Sequence, residues 1–332
     1  MPYTVNTSFQ TFRANFVDLD AGDVAKARTS RDALKDQLAL LPQKVAGFPS
    51  LYGGCLDFGS FARRTRVRSL NDIDMLLLLN GRNTESVYFS DYTYRLRIND
   101  QSSILMQYTN NDQYINSTKI LNKLKSSLSF VSYYRKADIK RTGVAVVLDL
   151  SSYPWVFDVV PAFPIRDGMG GISHYLIPNG TGNWMKTDPR KDQSAITAAN
   201  QLHNGNLLSL MRIMKYWNSH YYAIPTLPSY YFETMLISAF KYKPAIVDVK
   251  ASIVPAFEQI AALILSSCPD PKGLGSNLDS GISWEIKTKV QSKAKEMAQF
   301  GRYALSCEQQ GNHEEAIKWW KFIFYPDFPA YG

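Results

Sequence analysis

Cysteine is scarce in this 332-residue chain: Cys55, Cys268 and Cys307 stand far apart. They form no CxxC pair, which excludes the usual zinc spacings, and they suggest no disulfide framework. A reducing cytoplasm is therefore the expected setting. Histidine is scarce too, and His174, His203, His220 and His313 show no metal-ligand spacing. No run of eighteen apolar residues occurs, which excludes a membrane-spanning helix. "MPYTVNTSFQTF" lacks a basic stretch followed by an apolar one, so no secretory signal is expected. Internal repeats and low-complexity segments are missing. The basic residues form no long block of the kind that makes a nucleic-acid-binding arm.

What is there is ordinary globular composition, 45% hydrophobic and 20% charged. The length allows one large core or two lobes. The net charge of +8, from 37 basic and 29 acidic residues, suits phosphate-bearing partners and equally suits plain solubility.

Residues 23–41 read as a helix, with Asp23 as N-cap and Pro42 after its end. Gly53 and Gly54 break the next stretch. "IDMLLLL" is short, apolar and ended by Asn80-Gly81, which predicts a strand. Residues 117–134 read as a helix with Ile120, Leu121, Leu124 and Leu128 on one side. "GVAVVLDL" (143–150) and "WVFDVVPAF" (155–163) predict a hairpin, and 165–192 a loop rich in Gly, Asn and Pro. Beyond about residue 194 the spacing turns helical, from Leu207, Leu210, Met211, Met214 and Trp217 onward. Further helices are expected over 229–241, 253–267, 285–308 and 313–323. The fold class is α+β: a lobe with a small, mixed, mostly antiparallel sheet over residues 1–170, then a helical lobe with a short tail over 171–332. The active site is expected in the cleft between lobes.

Asp72 and Asp74 share one face of the predicted strand, which sends Ile73 and Met75 to the core. Two like charges side by side repel unless a cation lies between them. Magnesium fits, because it is often held by one or two carboxylates plus substrate phosphates. Asp158, inside "WVFDVVPAF", is the third candidate, since a lone aspartate in a core strand is costly. Asp149 is an alternative near the hairpin turn. Three aspartates on adjacent strands would form a two-metal site for phosphoryl transfer. Gly59-Ser60, twelve residues before Asp72, can present N–H groups and a hydroxyl to phosphate oxygens. Of Arg63, Arg64, Arg66 and Arg68, some could reach phosphate and several should be solvent-exposed.

Together these residues resemble a known superfamily. "GSFARRTRVRSLNDIDMLLLL" is similar to the GS-x(10–13)-DxD signature of polymerase-β-like nucleotidyltransferases, and "FDVVPAF" to the strand carrying their third metal-binding aspartate. "LMRIMKYWN" with "LPSYYFETML" resembles paired segments of oligoadenylate synthase and cGAS. "YLIPNGTGNWMKTDP" resembles a loop of the cGAS/DncV-like nucleotidyltransferases (CD-NTases) of bacterial anti-phage defence.

The resemblance implies a core nucleotidyltransferase lobe, an oligoadenylate-synthase-like helical lobe, and a role for each matched residue. Gly59 and Ser60 would hold the donor triphosphate. Asp72, Asp74 and Asp158 would be catalytic and bind two Mg2+ ions, with Mn2+ as the alternative. Lys215 and Ser229 would contact donor phosphates, and Tyr230 would stack on the base. Read from residues alone, Lys215 is equally a snorkelling surface lysine and Tyr230 equally a core tyrosine. Asn179 could read a base edge or simply form a turn, and Trp184 reads as packing. Gly332, at the end of "YPDFPAYG", is either a conjugation point for a ubiquitin-transfer-like enzyme or a frayed terminus.

The implied activity joins NTPs, ATP or GTP foremost, into a cyclic di- or trinucleotide with release of pyrophosphate. A downstream effector would bind the product rather than this protein. No zinc and no membrane are expected. The rivals are nucleotide addition to RNA or a small acceptor, a nucleotide- or RNA-binding sensor without cyclase activity, and a scaffold for other defence proteins.

Overall fold

A computed structural model describes residues 3–131 and 134–332. In chain order the first elements are α1 (Val5–Phe12), α2 (Ala21–Ala39), α3 (Leu41–Lys44), β1 (Leu51–Asp57), α4 (Gly59–Ala62), β2 (Asp72–Leu79), β3 (Thr84–Ser90), β4 (Thr93–Ile98), α5 (Ser117–Ser129) and β5 (Asp138–Thr142). Then come β6 (Ala145–Asp149), β7 (Val156–Arg166), β8 (Ile172–Pro178), β9 (Trp184–Thr187), α6 (Pro189–Leu202), α7 (Leu207–His220), α8 (Ser229–Phe240), α9 (Ile253–Leu263), α10 (Trp284–Gln309) and α11 (His313–Ile323).

The chain divides into two compact units. Ala21–Arg63 and Leu70–Gln193 form the first, while residues up to Asp20, Arg64–Ser69 and Ser194–Gly332 form the second. A single division at 170/171 was expected, so the sequence placed the N-terminus in the wrong unit. The reason is aromatic packing. In the second unit, Phe9 of α1 meets Trp320 and Phe328 edge-on at 5.0 Å each, and Phe12 lies 4.8 Å from the Tyr216 ring.

The first unit is built on a sheet ordered β1-β2-β7-β8-β9-β4-β3, with β6 also on β7 and β5 on β6. Among the described residues it has nine strands, more than the small sheet expected, and its character is as expected, mixed and mostly antiparallel. β2 and β7 form the parallel pair, from Asp72↔Val156 through Leu78↔Ala162. β7 is long enough to pair twice. Its first half lies between β2 and β6, and Phe163 to Arg166 continue onto β8.

That continuation overturns the loop expected over 165–192, which contains β8 and β9. Gly, Asn and Pro punctuate that stretch, and Tyr175–Pro178 is a continuous buried run without alternation. Both features hide strands from a pattern search. No element was anticipated between Gly81 and Asn116, where β3 and β4 form a hairpin. α2 packs on β1 and β2, and α5 on the strands from β5 to β8. α5 begins where Asn116 Oδ1 accepts from the N–H groups of Thr118 and Lys119. It ends at Ser129, short of the expected residue 134, and 132–133 lie outside the described residues.

The second unit buries α1 together with α7 to α11 around Phe12, Trp217, Phe232, Phe257 and Trp320. The apolar spacing read from Leu207 to Trp217 lies in this core. The tail is not free along its length, contrary to what a conjugation site suggested. Phe328 is buried beside Phe9 and Phe324, and the Tyr331 ring stands edge-on to Tyr3 at 5.6 Å. Among the described residues no helix is long and apolar enough to cross a membrane.

Candidate active site

β2 alternates as its sequence requires: Ile73 and Met75 are buried, and Asp72 and Asp74 are half-buried on the other face. β7 does the same, with Phe157 and Val159 buried and Asp158 half-buried between them. Because the strands are parallel and Asp74 is the register partner of Asp158, the two side chains leave the sheet on one face, next to each other. Further along, that face carries Leu76, Leu78, Val160 and Ala162, an apolar cluster that anchors both strands. Asp149 is exposed and pairs with Val156, whereas Asp158 is the direct register partner of Asp74.

The electrostatics follow. Burial, and then the charge of nearby Asp72, push the Asp158 carboxyl above the ordinary range. Its Oδ1 is buried and has no hydrogen-bond partner among the described residues. A buried, unsatisfied carboxylate oxygen beside two more carboxylates is costly unless a cation completes it. The donor set, all hard oxygen, fits magnesium. Among the described residues no three His, Cys, Asp or Glu side chains close into a metal-holding group by themselves.

Gly59 explains the start of the motif. Its φ is +73°, and a Cβ built there would lie 1.7 Å from Asp74 Oδ2. The Phe58 N–H donates to the Asp74 carbonyl at 3.2 Å, so the turn is pinned to the strand it serves. Only glycine lets the backbone before Ser60 press against that carboxylate. The arginines that follow do not match the expectation of several exposed side chains, because only Arg64 is exposed. Within the second unit, the Arg64 carbonyl accepts from Arg212 Nη1 at 3.1 Å, and Arg68 Nη1 donates to the Ala14 carbonyl.

Lys215, Ser229 and Tyr230 belong to the second unit. Asn218 of α7 positions the latter two: its Nδ2 donates to the Leu227 carbonyl at 2.9 Å, and its Oδ1 accepts from the Leu227 N–H at 3.1 Å. Pro228 then opens α8, which leaves Ser229 exposed and Tyr230 half-buried. Lys272 Nζ sits 4.1 Å above the Tyr230 ring and 2.5 Å from its hydroxyl.

Lys215 is not a snorkelling surface lysine. Its Nζ lies 2.5 Å from Glu233 Oε1, with the two side chains 7% and 3% exposed. Thr65, fully buried, donates its hydroxyl to the same oxygen at 2.9 Å. Glu233 and Thr65 were both missed. The signal was present: a lone glutamate inside the apolar run "YYFETML" needs a partner, and the matching apolar helix carries two long basic side chains, Arg212 and Lys215, of which Lys215 is buried.

Asn179 is a turn former. Its Oδ1 accepts from the Thr181 N–H, the Thr181 hydroxyl and the Asn183 N–H, closing the β8–β9 connection. Trp184 is packing: it is fully buried, with Nε1 donating to the Ile115 carbonyl at 2.8 Å. The first unit thus gathers Gly59, Ser60, Asp72, Asp74 and Asp158. The second gathers Lys215, Glu233 and Thr65, with Ser229 and Tyr230 at the start of α8.

A carboxylate-bearing parallel strand pair with a glycine turn pressed against it is the arrangement that the resemblance to nucleotidyltransferases implied. No known family profile matches the sequence. A probable cyclic nucleotide synthase of Bacillus cereus strain VD146 is 38% identical over 333 residues, covering 100% of this chain and 99% of that protein. The chain belongs to the cyclic nucleotide synthases of the CD-NTase family. The fold agrees with that of CdnC from E. coli MS115-1. CdnC in complex with HORMA-deltaN superposes with a TM-score of 0.72 at 14% identity, and CdnC with ATP gives 0.71 at 15%. Each covers 98% of both chains.

Proposed function

We propose that this protein joins NTPs, ATP or GTP foremost, into a cyclic di- or trinucleotide with release of pyrophosphate, as a signal in bacterial anti-phage defence. The observation that carries the reading is the Asp74–Asp158 register pair with Gly59 closed against Asp74. The relative named as a probable cyclic nucleotide synthase and the CdnC structure with ATP support it.

In this reading Asp72, Asp74 and Asp158 hold magnesium, which when bound neutralises triphosphate charge and acidifies the attacking hydroxyl. The rest of the chemistry is positioning. Gly59 brings the backbone before Ser60 close to the Asp74 carboxylate, so the triphosphate and the carboxylates share one small volume. A 2′- or 3′-hydroxyl of the acceptor attacks the donor α-phosphate, and Asp158 is the carboxylate nearest to taking its proton. Lys215, fixed by Glu233, and Ser229 contact donor phosphates, and Tyr230 stacks on the base. A second attack closes the ring.

The test is NTP consumption with magnesium present. The wild-type chain should convert ATP and GTP, and Asp72→Ala/Asp74→Ala should not. Undiminished turnover by the double variant would remove the carboxylates from the mechanism.

A further inference from the structure

The first unit has a cavity of about 720 Å³ at the far end of the strands that carry the carboxylates. Tyr52, Pro164 and Ile165 give it an apolar side, while Asn80, Arg82, Thr84 and Arg166 give it a polar one. On β7, Asp158 and Arg166 are eight residues apart, roughly 26 Å of extended strand. A molecule in this cavity therefore cannot also touch the carboxylates unless it is far larger than a nucleotide. None of the residues assigned to catalysis lines it.

We propose that this cavity is a second binding site, for a small phosphorylated molecule of mononucleotide size. The proposal stands apart from the catalytic reading, because it uses different residues.

The first argument is preorganisation. The β7–β8 pairing shifts register between Ile165 and Arg166, the kind of irregularity that re-aims a side chain. Arg166 is held there by Tyr52, its guanidinium 5.6 Å from the ring centre and its Nη2 3.4 Å from the hydroxyl. Arg82 is carried on an ordered turn. Asn80 Oδ1 accepts the Arg82 N–H at 3.0 Å, and the Thr84 hydroxyl donates to the Gly81 carbonyl at 2.7 Å. Two arginines on fixed backbone at one cavity are suited to a phosphate, which guanidinium forks bind in bidentate fashion.

The second argument is charge. Glu85 also lines the cavity, but it is tied across the hairpin to Arg97 at 2.5 Å. Asp100 lies behind the turn, accepting from Asn83 Nδ2 at 3.3 Å, and it also feels Arg82. Among the lining residues Arg82 and Arg166 stand against Glu85 alone, which leaves an excess of one positive charge. The third argument is shape. The volume falls within the roughly 300–1,000 Å³ of small-molecule sites. The Tyr52, Pro164 and Ile165 side would cover a ring while the arginines take its phosphate.

The probe is AMP, titrated calorimetrically into the full chain, with inorganic phosphate as a second ligand. AMP should bind wild-type protein and Asp72→Asn/Asp74→Asn alike. Arg82→Glu/Arg166→Glu should weaken it by at least about tenfold, the size of losing charge-assisted hydrogen bonds. Hydrogen exchange on the wild-type chain, independent of any variant, should show AMP protecting Asn80–Ser86. No binding at about 1 mM AMP, equal binding by the arginine variant, or protection confined to Asp72–Asp74 would each overturn the proposal. Binding of phosphate without AMP would overturn its ring-binding half.

Discussion

Asp74 and Asp158 stand side by side as register partners on adjacent parallel strands, the one carboxylate on β2 and the other on β7. Hydrophobic neighbours fix both strands, so the carboxylates cannot relax apart. The arrangement is destabilising by itself, and in the proposed reading a bound cation would offset that cost. Asp158→Asn should therefore separate stability from activity. NTP turnover should fall by at least about 100-fold, the scale of losing a group that stabilises transition-state charge. In chelator the melting temperature should hold or rise, since a buried like charge has been removed. A variant that melts well below wild type while retaining turnover would make Asp158 structural.

Gly59→Ala tests the close approach. The added Cβ would meet Asp74 Oδ2 at 1.7 Å and Asp74 Cβ at 2.9 Å, too near for a side-chain rotation to relieve. Activity should drop at least about 100-fold through misplacement of the carboxylate. Gly53→Ala is the control, because φ there is +75° but nothing lies within 4 Å. It carries the same backbone strain without the clash and should keep most activity. Equal loss in both variants would assign the effect to strain alone.

Much of this geometry was legible beforehand, for a definite reason. Period-two alternation around Asp72, Asp74 and Asp158 fixes which face each aspartate takes, whatever the rest of the fold does. The helices from Leu207 to Ile323 were legible because their apolar spacing faces one core. What the sequence hid depends on long-range pairing. The aromatic docking of Phe9 and Phe12 onto Trp320 and Tyr216 leaves no local mark, nor does the extension of β7 onto β8. The Lys215–Glu233 pair lay between, since each residue was conspicuous in an apolar helix but only the fold joins them.

That pair yields the next prediction. Lys215→Met should destabilise the protein by about 3–5 kcal/mol, because it leaves the Glu233 carboxylate buried without its cation. Lys215→Met/Glu233→Leu should recover most of that loss in a denaturant titration. If Lys215 contacts donor phosphate, the stable double variant should still fail to turn over NTPs. A double variant with wild-type turnover would confine Lys215 to a structural role.

His174 sets an acid-sensitive point in the first unit. The Ser173 hydroxyl donates to the Ile165 carbonyl at 3.1 Å and so accepts from the His174 Nδ1–H at 2.8 Å. The ring therefore carries its proton on Nδ1, and Nε2 is buried with no partner among the described residues. Burial first, then Lys186 and Lys191 against an opposing Asp188, lower its pKa to about 4. The unfolded chain then binds the extra proton first, so stability falls as pH drops from about 6.5 towards 4. His174→Gln should flatten that limb of a melting-temperature profile. An unchanged slope would mean other groups set it.

The central claim is that the product is a ring, and product chemistry tests it most directly. Wild-type protein is incubated with mixed NTPs and magnesium, treated with phosphatase, and the products are weighed by mass spectrometry. The account predicts a phosphatase-resistant species with the mass of two or three nucleoside monophosphates less one water per linkage, ring closure included. Asp158→Asn should give none. Linear products that phosphatase attacks, or nucleotide found only on an added RNA or small acceptor, would contradict it.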